Sequence, residues 1–98
     1  MREPPRIRVS DLRYAEAPEA DQARGLIGRV RFVVNDALVV GGVALRRTRD
    51  GRFTLSWPSR RDARGEKRYF VHPISDAVRL DLERQVLEAM HLKQELAP

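Results

Sequence analysis

The sequence predicts an α+β fold: an antiparallel β-sheet of about five strands joined as a meander, followed by one C-terminal α-helix. Three observations carry that prediction. Stretches in which apolar and polar side chains alternate are separated by short turns rich in Asn, Asp and Gly. Only one stretch, near the C-terminus, repeats its apolar residues at helical spacing. The chain has 98 residues and no cysteine. That length makes one domain, residues 1–98, with a core of its own and no disulfide framework.

The elements follow in order. Residues 1–6 hold two prolines and no periodicity, and are expected to be a flexible start. Ile7, Val9 and Leu12 alternate with Arg6, Arg8 and Ser10, which reads as a short strand. Tyr14 to Gly25 is acidic, alanine-rich and broken by Pro18; it reads as a loop with room for one helical turn. Gly28 to Val34 is a strand with Val30, Phe32 and Val34 on one face and Arg29, Arg31 and Val33 on the other. Asn35-Asp36 follows as a tight hairpin turn, because both residue types tolerate left-handed backbone. Ala37 to Arg47 returns as a mostly apolar central strand, and Gly41-Gly42 within it signals a bulge or a close backbone approach. Thr48 to Gly51 is a second turn. Arg52 to Trp57 alternates again, with Phe53, Leu55 and Trp57 inward. An arginine-rich loop comes next, then a short strand from Tyr69 to His72.

Ser75 to about Leu96 is the helix, with Ser75 as its N-cap and Asp76 near the positive end of the dipole. Val78, Leu82, Val86, Ala89, Leu92 and Leu96 form one stripe for packing on the sheet, with Met90 at its margin. Leu80 and Leu87 fall on roughly the opposite side. They are either scattered surface leucines or the seam of a homodimer.

The charge is placed unevenly. The chain carries a net +5, and residues 46–68 alone hold nine basic and three acidic side chains. Residues 69–98 hold three basic and five acidic ones. The candidate nucleic-acid contacts are therefore Arg60, Arg61, Arg64, Lys67 and Arg68 in the loop between Pro58 and Pro73, and Arg46, Arg47, Arg49 and Arg52 around the preceding turn. Guanidinium groups suit phosphate, because the planar fork grips two oxygens at once. A concentrated positive patch is also what releases counterions from a polyanion. A solubilising loop is the alternative that composition leaves open.

Other function classes find little footing. The longest apolar run, Ala37 to Leu45, is too short to span a bilayer, and the one helix is not basic enough for an interfacial anchor. The N-terminus lacks the apolar core of a signal peptide, and a cysteine-free chain fits a reducing cytoplasm. His72 and His91 are the only histidines, too few donors for a zinc site. No Gly-rich phosphate loop precedes a helix, and Ser56 and Ser59 have no histidine placed to activate them. The expectation is a protein that is not an enzyme, with no metal, no cofactor, no small-molecule substrate and no membrane partner.

The order of motifs is familiar. W-P-S-R-R from Trp57, G-E-K-R from Gly65, H-P-I-S from His72, then Arg79 and Q-V-L-E-A from Gln85 resemble the stage V sporulation protein G family (septation protein SpoVG). The family's matching stretches read P-S-K-R, D-G-E-F-R and H-P-I, then an arginine and a helix with D-A-V-L. Val9-Ser-Asp11-Leu-Arg13 is similar to its opening V-x-D-V-R, and Leu38-Val39-Val40 to its F-V-V. The likeness runs from about Ile7 to Leu92. The chain departs from the pattern in a longer loop from Tyr14 to Leu26, in a more basic turn around Asp50-Gly51, and in Ala44, where the family often has arginine. The resemblance implies a homodimer that binds DNA, in some members RNA, as a regulator linked to septation and sporulation. It implies Arg60-Arg61 as the leading contacts. The competing expectation is a protein–protein adaptor of the division machinery, working through exposed leucines or a sheet edge.

Overall fold

A computed structural model describes residues 5–92. The chain order is β1 (Val9–Glu16), α1 (Glu19–Gln22), β2 (Leu26–Val34), β3 (Leu38–Arg47), β4 (Phe53–Ser56), β5 (Ser59–Arg61), β6 (Lys67–Tyr69) and α2 (Asp76–Ala89). Strands β1 to β4 form an antiparallel meander in sequence order, and β5 pairs with β6 as a separate two-stranded ribbon. The architecture is α+β with a C-terminal helix. The strands number six in two sheets rather than about five in one, because part of the expected basic loop is itself paired. The first strand also runs further than its apolar pattern, to Glu16, across an irregularity between Ser10 and Arg13 where Asp11 takes a φ of +50°.

The turns follow their residues. Asn35 and Asp36 both adopt a φ of +53°, and Ala37 N–H donates to the Val34 carbonyl at 3.0 Å. Two left-handed residues in a row give the twist that neighbouring strands share. Gly42 has a φ of +71°, a backbone that suits glycine. There the pairing jumps from Val30 opposite Val43 to Phe32 opposite Val40, the bulge that Gly41-Gly42 signalled. Its effect is that Val40 and Val43, three positions apart, both reach the core.

Phe32, Leu45, Val30, Val43 and Val86 are the largest wholly buried side chains. Each contributes about 1.5–3 kcal/mol by leaving water. The helix starts as expected, with Val78 N–H donating to Ser75 Oγ at 3.3 Å. It stops at Ala89, where His91 turns left-handed with a φ of +58°. The expected final turns and the stripe position Leu96 fall partly past that end and partly outside the described residues, as does the start of the chain before Pro5.

Polar side chains set the helix orientation. Glu83 is buried, and accepts from Leu55 N–H at 3.1 Å and Thr54 Oγ1 at 3.0 Å on the outer edge of β4. Gln85 accepts from Val9 N–H at 2.8 Å at the start of β1 and donates to the Ile7 carbonyl at 2.6 Å just before it. Two positions apart on a helix, these side chains project to opposite sides of its axis. One helix therefore satisfies donors on both outer strands of the meander. Holding Glu83 inward rotates the buried arc to include Leu87, which is only 4% exposed, and leaves Ala89 at the surface. The pairing of Leu80 with Leu87 as a dimer seam is thus overturned: Leu87 belongs to the core, and Leu80 stands alone at 57% exposure.

Candidate nucleic-acid interface

All nine candidate basic side chains are exposed. Of these nine, only Arg52 and Arg68 reach a carboxylate among the described residues. The structure divides them into three groups.

The ribbon holds the first group. β5 and β6 pair Ser59 with Tyr69, Arg60 with Arg68 and Arg61 with Lys67. Adjacent strand residues point to opposite faces. Arg60 and Arg68 therefore share one face, and Arg61 and Lys67 the other. The two consecutive arginines cannot act as one clamp on one phosphate. Arg60 lies 5.9 Å over the Phe70 ring, and Lys67 5.1 Å over the Tyr69 ring. These contacts prop the long side chains while leaving the charge in water.

The ribbon tip neutralises part of itself. Arg68 bonds Asp62 at 2.9 Å and Glu66 at 3.0 Å, and Arg61 donates to the Gly65 carbonyl at 2.8 Å. Asp62 also accepts from the backbone N–H groups of Arg64 at 2.9 Å and Glu66 at 3.0 Å. The Arg68 bond, opposed by burial and helped by those N–H groups, holds the Asp62 carboxyl below its ordinary range. Arg64 is left at the tip with its side chain outside these pairs.

The turn between β3 and β4 holds the second group. Arg47 stacks 5.4 Å over Phe53, and Asp50 bonds the Thr48 hydroxyl and lies 4.0 Å from Arg52. The hydroxyl is the main reason that the Asp50 carboxyl is held low. Arg47 and Arg49 line a hollow with Arg24, away from the ribbon.

Arg46 belongs to a third group. With Arg29 and Lys67 it lines a groove of about 380 Å³ between the outer sheet face and the ribbon. Arg29 was missed in the sequence, although its alternation with Val30 placed it on the polar face. Residues 1–45 carry seven basic and six acidic side chains, and that near-balance hid it. Arg13 lies directly opposite Arg31 across β1 and β2 and adds to the same positive face.

An apolar surface lies elsewhere. Ile74 is 82% exposed, Phe70 69% and Leu38 65%. Leu38 and Val71 rim an apolar hollow of about 150 Å³ whose wall includes Phe32 and Trp57. His72 is held by its Nδ1 contact to the Pro73 carbonyl at 2.9 Å, and His91 sits at the helix end, so the two histidines are not brought together. Among the described residues no group of three or more metal-binding side chains forms, and no helix is long and apolar enough to cross a membrane. No protein-family model matches the chain, and no curated protein does.

Proposed function

We propose that this chain is a homodimeric nucleic-acid-binding regulator of the stage V sporulation protein G kind, linked to septation, sporulation and gene regulation. DNA is the primary partner and RNA a secondary one. The observation that carries the reading is the exposure of nine basic side chains from residues 46–68, seven of them without a carboxylate partner among the described residues. Arg60 and Arg61 contact separate phosphates, since they occupy opposite faces of the ribbon. Phosphate contacts dominate affinity, and base readout is weak or indirect. The second copy covers the apolar surface at Leu38, Val71 and Ile74 in place of the discarded leucine seam.

The test compares the wild type with Arg60→Ala plus Arg61→Ala, using labelled duplex and single-stranded probes over a salt series, with light scattering on the same samples. The wild type is expected to bind with steep salt dependence, and the variant to lose roughly tenfold or more in affinity. Both should scatter as twice the 11.3 kDa chain. Unchanged probe binding would replace this reading with the adaptor, for which the exposed Leu38, Phe70 and Ile74 are the specific support. A single-chain mass would discard the dimer.

A further inference from the structure

Three cations from three separate elements meet at the groove. Arg29 comes from β2, Arg46 from β3 and Lys67 from β6. Ser56 and Ser59 contribute hydroxyls to the walls, Gly42 and Ala44 form the floor, and no lining residue is acidic. None of the three cations has an ion-pair partner among the described residues, although carboxylates are paired elsewhere on the surface. Like charges converging without a counter-charge oppose folding. All three side chains are exposed, so no packing in the core demands them. The floor has little side chain to fill the space, which lets a ligand approach the backbone.

We infer that this groove is a phosphate-binding site. Arg29 and Arg46 grip phosphate oxygens with their planar forks, Lys67 supplies a point charge from the ribbon, and the two serine hydroxyls donate hydrogen bonds. A lone carboxylate would be satisfied by one fork. A tetrahedral group with several anionic oxygens uses donors arriving from three sides. The inference rests on the nucleic-acid reading for the source of the phosphate, a backbone phosphodiester running between sheet and ribbon. A free polyphosphate offers the same chemistry, and the experiment separates the two.

Trp57 is the single tryptophan of the chain and lines the groove, so its fluorescence reports occupancy. The intact chain, the Arg29→Ala plus Arg46→Ala variant and the milder Lys67→Gln variant are each titrated with a short oligonucleotide, its duplex and inorganic tripolyphosphate. Unfolding curves of all three proteins verify that the fold is kept. The double variant should lose roughly a hundredfold in oligonucleotide affinity, and Lys67→Gln roughly tenfold. The slope of log K against log salt should become shallower by about 0.7 per lost contact on single strands and about 0.9 on duplex. Tripolyphosphate should compete with the probe and change the Trp57 signal of the wild type, more weakly that of Lys67→Gln, and not that of the double variant.

Groove variants that bind like the wild type, while Arg60→Ala plus Arg61→Ala loses binding, would overturn the groove and leave the proposed function intact. A tripolyphosphate response present in the wild type and lost in the double variant, with no oligonucleotide binding, would uphold the groove and remove the nucleic-acid reading. No response to any probe would remove both.

Discussion

The two faces of the four-stranded sheet treat polar groups in opposite ways. On the helix side, charges are matched. Glu83 meets Leu55 N–H and Thr54, and Arg79 reaches Glu83 at 3.2 Å. Arg84 bridges Asp81 at 2.6 Å and Glu88 at 3.2 Å, and Gln85 is bonded to Ile7 and Val9. On the outer side, Arg13, Arg29, Arg31 and Arg46 have no ion-pair partner among the described residues. A buried group without a partner costs stability, so the fold supplies one where it must. Exposed cations carry no such demand. The unmatched face is therefore the one whose charges the fold itself leaves unexplained, and it is where a polyanion finds the most to neutralise.

The largest expected effect lies on the matched face. Glu83→Ala strands the Leu55 N–H and removes the buried partner of Arg79, and should cost about 3 kcal/mol in urea unfolding. Oligonucleotide affinity of the folded protein should stay as it was. A loss below about 1 kcal/mol would mean that the carboxylate does not anchor the helix to β4. The contrast sharpens with Arg31→Thr on the outer face. Removing one of two directly opposed arginines and adding a β-branched residue should raise stability by about 0.5 kcal/mol, while weakening probe binding at low salt. Lower stability would show that Arg31 serves the fold after all.

The smallest effect belongs to the ribbon tip, which lies between the two extremes because Arg68 is already partly neutralised. Asp62→Asn should release Arg68 from one of its two carboxylates, leaving the Glu66 bond, and tighten probe binding by about two- to threefold, since an exposed pair of this kind is worth little. Asparagine keeps an acceptor for the Arg64 and Glu66 N–H groups, so the turn should persist. The pH dependence has a definite sign. A carboxyl held below its ordinary value contributes stability above that value and loses it as pH falls through the lowered one. The Asp62–Arg68 bond should therefore survive mild acidification and open only below about pH 4. An Arg68 side-chain NMR signal that already shifts near pH 6 would contradict this.

Several elements were legible from residue types alone. Asn35-Asp36 marked its turn, Gly41-Gly42 its bulge and Ser75 its helix cap, because each depends on local backbone preferences. Phe32, Val30, Leu55 and Val86 were legible as core through simple periodicity. The ribbon was not: Ser59-Arg60-Arg61 and Lys67-Arg68-Tyr69 have no apolar alternation, and pair through backbone hydrogen bonds that side-chain patterning does not record. Leu87 was misplaced because a pattern of hydrophobic residues cannot anticipate a buried carboxylate turning the helix. The basic surface was legible as a density of charge along the chain, but Arg29 joined it only through the meander.

The sequence by itself determined the α+β class, the turns, the helix start and an excess of positive charge between residues 46 and 68, since these follow from local preference and composition. Only the tertiary structure decided that Arg60 and Arg61 face apart, that Arg29, Arg46 and Lys67 share one groove, and that Leu87 lies inside. Those outcomes depend on strand register and on the partners of Glu83 and Gln85, which lie 28 or more positions away along the chain.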